Sequence, residues 1–133
     1  MNLFVYLRSL LLTLSPVTAL VGSGANARIW NEWARTSGLP CIILDIDIEH
    51  LQNDLAGRST GTVAEITITC RGGTHEQSDA VSDAVKAIAG HDGEFSLVFD
   101  DIVHASTPRD DGTSGRWYDH IMSGVAIWNE NIP

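Results

Sequence analysis

The sequence predicts an α+β domain: a single antiparallel β-sheet with two α-helices covering its apolar face. Three observations lead there. The chain has 133 residues with 44% hydrophobic content, enough for one domain with a real core and too little for two. Residues 44–49 and 64–71 alternate between apolar and polar side chains, the period of a strand buried on one face. Residues 3–14 and 75–89 instead carry apolar side chains at helical spacing, which gives each a stripe to lay on a sheet.

The elements follow in order. Leu3, Leu7, Leu10 and Leu14 share one helical stripe, with Phe4 and Leu11 beside it. The run superficially resembles a signal peptide, but its start has no basic side chain and Arg8 interrupts it, so a docked helix is the preferred reading. It is also shorter than the roughly 20 apolar residues a membrane span needs. Pro16 should end this helix near Ser15 and open a short second turn through Val21, closed by Gly22-Ser23-Gly24. A short strand is expected at Arg28-Ile29-Trp30, and Ser37-Gly38-Leu39-Pro40 reads as a turn.

The clearest strand is 41–49. Leu44, Ile46 and Ile48 face one way; Asp45, Asp47 and Glu49 face the other. After a loop over 52–60, the next strand points Ala64, Ile66, Ile68 and Cys70 inward and Val63, Glu65, Thr67, Thr69 and Arg71 outward. Gly72-Gly73 breaks it, and Thr74 with Gln77 fits a capping box at the start of a helix. That helix should bury Ala80, Val81, Ala84, Val85, Ile88 and Ala89 and expose Glu76, Asp79, Asp83 and Lys86. Phe95, Leu97, Phe99 and Val103 then alternate along a strand, a polar loop covers 107–116, and a last strand runs over 117–128. The links near 55 and 111 are too short for parallel crossovers, so both strand pairs should be antiparallel.

Charge and motif content narrow the function. The net charge is −9 and Lys86 is the sole lysine, which disfavours broad binding to nucleic acid or to an anionic membrane. Cys41 and Cys70 are too few for a disulfide scaffold and read as buried strand residues. Asp45, Asp47 and Glu49 form a row that could hold Mg²⁺ or Mn²⁺, although a solvated sheet face is the preferred reading. Asp110-Asp111-Gly112 matches only a fragment of a calcium loop. The histidines at 50, 75, 91, 104 and 120 are scattered, without the i, i+4 spacing of a helical zinc site. No nucleophile elbow, P-loop or dinucleotide fingerprint is present. The inventory argues against an enzyme, and no metal or cofactor is expected.

The ordered features nevertheless form a pattern. A Leu-rich helix leads to Ala19-Leu20-Val21-Gly22, then Arg28-Ile29-Trp30, then Leu39-Pro40 and the first long strand. Gly57-Arg58-Ser59 precedes Glu65-Ile66-Thr67-Ile68-Thr69-Cys70. A helix over 80–88 is followed by Gly90, and an acidic loop precedes a strand ending Val125-Ala126-Ile127-Trp128. In order and spacing the chain resembles the tail-completion (tail-terminator) family of long-tailed bacteriophages and phage-like particles over nearly its whole length, as one domain, 1–133. It departs from that pattern in a longer 31–37 segment and in its low lysine content.

The resemblance implies structural work without catalysis. Such a protein forms a homo-oligomeric ring, commonly a hexamer, at the head-proximal end of the tail in the virion after synthesis in the bacterial cytoplasm. It stops tube growth and meets the tail tube protein and the head connector. Ring subunits pair head-to-tail through unlike patches. The two hairpin loops, 50–60 and 107–116, are candidates: Asp54 with Arg58, and Arg109, Asp110 and Asp111 with Arg116, since arginine suits bidentate pairing with carboxylates. Trp30, Trp33 and Trp117 are either contact or core-capping residues. Two other classes remain open at this stage, a small metal-dependent hydrolase on the Asp45/Asp47/Glu49 face and a secreted binding domain with Cys41 and Cys70 bridged.

Overall fold

The computed structural model describes residues 3–34, 38–53, 59–91, 95–110, 112 and 114–128. Three α-helices, α1 (Leu3–Leu12), α2 (Ser15–Val21) and α3 (His75–Val85), combine with six strands. These are β1 (Ile29–Asn31), β2 (Cys41–Asn53), β3 (Ser59–Gly72), β4 (Gly90–His91), β5 (Phe95–Pro108) and β6 (Arg116–Trp128). They form one sheet in the order β1-β2-β3-β6-β5-β4.

The α+β class is as the sequence predicts, with two differences. The sheet is mixed, because β1 pairs with β2 in parallel, Ile29 opposite Ile42. A sequence of alternating apolar residues cannot specify that pairing. Arg28 ties the segments together there: its Nε and Nη2 donate to the carbonyls of Pro40 (2.8 Å) and Leu20 (2.9 Å). The Ile42 amide in turn donates to the Arg28 carbonyl at 2.9 Å. The second difference is that the short turn expected after Ser15 is a helix, α2, with Pro16 in its first turn. Proline is tolerated there because the amide it lacks would have no helical partner. The α1–α2 pair bends by 98°, and among the described residues no single helix is long and apolar enough to cross a membrane.

The four long strands share one register. Ile42, Cys70, His120 and His104 lie in one row across β2, β3, β6 and β5; Leu44, Ile68, Met122 and Ile102 form the next; Ile46, Ile66, Gly124 and Phe99 the third. All of these side chains point to one face, here called inner. That face and the three helices share a single core containing Leu7, Leu11, Val17, Val21, Val81 and Val85 with Leu44, Ile66, Ile68 and Met122. Burying side chains of this size stabilises by about 1.5–3 kcal/mol each before entropy is counted. Val63 faces outward as expected, opposite Ile127, yet it is buried, at 7% exposure.

Both long helices turn slightly from the faces the sequence suggests. In α1 the fully buried residues are Leu3, Leu7 and Leu11, with Leu10 and Leu14 only half-buried. In α3 they are Ser78, Val81, Ser82 and Val85, while Ala80 is exposed. The serines are small enough to let the helix approach the sheet, and their hydroxyls have partners. Ser78 Oγ donates to the His75 carbonyl at 3.0 Å and Ser82 Oγ lies 4.0 Å from Met122 Sδ. The capping box forms in modified shape. Thr74 Oγ1 accepts from the Gln77 amide (3.1 Å), and Gln77 Oε1 accepts from the amide of Gly73, one residue before the cap (2.7 Å). Such a cap contributes about 1 kcal/mol.

Two glycines mark close approaches. A Cβ at Gly72 would come within 2.8 Å of the Ser78 amide nitrogen, where β3 runs into α3. At Gly124 it would fall on the Val98 carbonyl oxygen, beside the bulge that interrupts the β5–β6 register between Phe99 and Asp101. Gly124→Ala should therefore cost about 1–3 kcal/mol, the range of overpacking, read as a lowered urea midpoint. Val85→Asp should unfold the domain, because it places an unpaired charge in the core. A soluble Val85→Asp protein with unchanged melting would contradict this packing.

Candidate functional site

The carboxylate row is placed as the alternation predicts. Asp45 and Asp47 are exposed on the outer face, and the side chain of Glu49 lies outside the described residues. In register, Asp45 stands opposite Thr67 and Asp47 opposite Glu65; across the next strands, Ser123 and Val125 stand opposite Asp101 and Val98. The result is an acidic outer face mixed with apolar side chains. Val98, Val103 and Ile127 on that face are 59%, 47% and 43% exposed. Val98 and Ile127 are diagonal neighbours across β5 and β6, because Val98 is opposite Val125.

The same register decides the cysteines. Cys41 is opposite Arg71 and Cys70 is opposite Ile42, so the two thiols point to opposite faces of the sheet. Both are free and buried. This removes the bridged-cysteine basis of the secreted-domain alternative. Burial pushes the Cys41 thiol up to about 11, partly offset by the Arg71 charge. Burial also raises Cys70, and more strongly. Neither is an activated nucleophile.

Above Cys41 on the outer face sits an ion pair. Arg71 Nε and Nη2 donate to the two carboxylate oxygens of Asp119 at 2.9 and 3.1 Å, and the guanidinium lies 4.1 Å from the centroid of the Trp117 ring. Burial alone would lower the Arg71 pKa, but the hydrogen bonds and charge of Asp119 hold it above its ordinary value. Trp117 is thus half-buried under an intramolecular cation. Trp30 is also half-buried, and Trp33 is 62% exposed.

Of the predicted interface residues, Asp54, Arg58 and Asp111 lie outside the described residues; of loop 50–60, β2 runs on to Asn53 and β3 begins at Ser59, and 54–58 lie outside them. In the other hairpin the strands run further than expected, to Pro108 and from Arg116, leaving a tighter loop. Its ends close through the Arg109 amide, which donates to the Gly115 carbonyl at 3.2 Å. Arg116 folds back on its own hairpin, donating through Nε to Ser106 Oγ (2.8 Å) and through Nη2 to the Ser106 carbonyl (3.0 Å). Asp110 is exposed.

Two histidines that read as scattered are brought together. His104 and His120 stand eight residues on either side of Gly112 and are direct partners in the β5–β6 register. A hairpin centred on Gly112 would have paired them from sequence alone, but that centre was not evident in a long polar loop. Their rings pack edge-on with centroids 4.3 Å apart. Asp79 on α3 reaches both: its Oδ1 lies 3.0 Å from His120 Nδ1 and 3.4 Å from His104 Nε2. The hydrogen bond with His120 is the main reason that the Asp79 carboxyl is held below its usual range. Asp79 was expected on the solvated face of the helix, and its side chain is half-exposed.

A cleft of about 360 Å³ opens between the end of α1 and the turn after α3, lined by Leu10, Thr13, Leu14, Ile88 and Phe95 among others; among the described residues its wall has no ionisable side chain. No protein-family model matches this chain, and no curated protein is significantly similar to it.

Two outcomes are expected from this geometry. Asp119→Ala should cost about 2–3 kcal/mol, somewhat under the usual penalty for breaking a fully buried pair, measured as the loss in urea-unfolding free energy. At pH 8 the native thiols should react with a thiol reagent at less than about one-hundredth of the rate in the urea-unfolded chain, because so little thiolate is present. Rapid labelling of both cysteines in the native protein would contradict their placement.

Proposed function

We propose that this chain is a structural protein of a phage-type tail. It acts as a homo-oligomeric ring, a hexamer in the simplest case, at the head-proximal end of the tube. There it ends tube polymerisation and joins the tail to the head connector. The observation that carries this reading is the exposed outer side of β5 and β6. Val98, Val103 and Ile127 are all more than two-fifths exposed there, on strands whose inner side already supplies the core. Apolar patches rimmed by polar groups mark contact surfaces, and a ring subunit needs such a patch on each flank. The ordered resemblance of the whole sequence to tail-completion proteins supports the same reading.

The charges give the patch a direction. Asp100 and Asp101 lie on β5 beside it, and Asp45 and Asp47 extend the exposed carboxylates to β2 on the same face. Two copies cannot meet there face to face without repulsion, so a head-to-tail contact with a different surface is favoured. The hairpin ends are suited to that role, Arg109 and Asp110 at one tip and Asp54 and Arg58 in the other loop. Arg116 serves instead to hold its own hairpin in shape. A subunit at −9 repels its copies until specific contacts form, so a monomer in solution is consistent with assembly on the tail.

Val98→Asp should leave domain stability within about 0.5 kcal/mol, as expected for an exposed site, measured by urea unfolding. Particles assembled with that variant, or with Arg109→Glu, should show unjoined heads and tails or tails of irregular length by electron microscopy. A null mutant that still made joined particles with tails of normal length would contradict the assignment.

A further inference from the structure

We infer that Asp79, His104 and His120 form a binding site for a transition-metal dication of the Zn²⁺ class. The three residues come from α3, β5 and β6, and one ligand atom from each lies within 4.8 Å of the other two. A tetrahedral Zn²⁺ with bonds of about 2.0–2.2 Å sets its ligand atoms roughly 3.3–3.5 Å apart. Asp79 Oδ1 stands 3.0 Å from His120 Nδ1 and 3.4 Å from His104 Nε2, close to those edges. His104 has 55% of its side chain exposed, so its ring is free to make the small turn that closes the third edge.

The surroundings favour this ligand set. His120 is fixed: it is 6% exposed, and its outward nitrogen meets Asp79 while Nε2 has no hydrogen-bond partner. Two imidazoles and one carboxylate select Zn²⁺, Co²⁺ or Ni²⁺ over Mg²⁺ and Ca²⁺, which prefer all-oxygen shells. Three protein ligands leave a fourth position open, and the exposed sides of Asp79 and His104 direct it toward solvent. The carboxylates of Asp45 and Asp47 are on the other face of the sheet and take no part. A bound ion would tie the His104–His120 pair of β5 and β6 to α3. The site does not depend on the tail reading, and its test is separate.

The test is titration of the purified full chain with ZnCl2 by calorimetry, and with Co²⁺ followed by its visible absorption, at neutral pH. The expected result is one ion per chain, a tetrahedral or five-coordinate Co²⁺ spectrum, and a melting temperature that rises with metal. Asp79→Asn and His104→Ala, both at half-exposed positions, should remain folded by circular dichroism. Each should weaken binding more than the about 10–100-fold lost when an outer-shell partner is removed, and should abolish the melting shift. Absence of stoichiometric binding to the native chain would overturn the site. So would binding of equal strength in both folded variants, which would mark metal held elsewhere.

Discussion

The pairing of β3 with β6 is the constraint on which the rest depends. It runs without interruption from Thr62 opposite Trp128 to Gly72 opposite Tyr118, and it carries β2 on one side and β5 on the other. Because side chains alternate with period two, this single register decides which residues reach the core and which face outward across the whole sheet. It puts Ile68 beside Met122 under the helices and Arg71 beside Asp119 on the opposite side. A slip of one residue would exchange those two environments, burying an arginine and exposing the core. The bulge at Asp100 and the glycine at 124 absorb the one irregularity that the neighbouring β5 brings.

A second consequence follows from length. Four strands of 13 or 14 residues extend about 43 Å or more at strand rise, whereas the 11 residues of α3 extend only about 16 Å. The helical layer therefore covers part of the inner face and leaves the far part of β5 outside it. Ile102 and His104 sit at this edge, on the inner side of β5 yet exposed. The middle of the sheet builds stability, while the outer sides of β5 and β6 and the Ile102–His104 stretch of β5 stay exposed. The acidic outer face is consistent with solubility of the single chain and with a partner surface of different charge.

Much of this was legible in the sequence. The alternation in 44–49 and 64–71 identified the two paired strands and their faces, and Thr74 with Gln77 located the start of α3. What was not legible were relations between distant segments. β1 pairs with β2 in parallel, with Arg28 tying the segments together, which no local pattern encodes. The buried face of α3 includes Ser78 and Ser82, whose hydroxyls meet the His75 carbonyl and Met122 Sδ, so polarity alone does not mark them as inward. The Asp79–His104–His120 cluster needed a hairpin register centred on Gly112 that the long polar loop concealed. The carboxylates, by contrast, stand where alternation alone put Asp45 and Asp47. Of the expected contact residues, Arg116 is engaged within its own hairpin, a detail that charge composition cannot reveal.

The central claim is that this protein works as a ring at one end of a tail, and position is its most direct measure. Particles carrying an epitope-tagged copy can be labelled with antibody and imaged by electron microscopy after heads and tails are separated. The account predicts label at the head-proximal end of each tail, and at no other place along the tube. Label spread along the tube, confined to the opposite end, or absent from purified tails would contradict it.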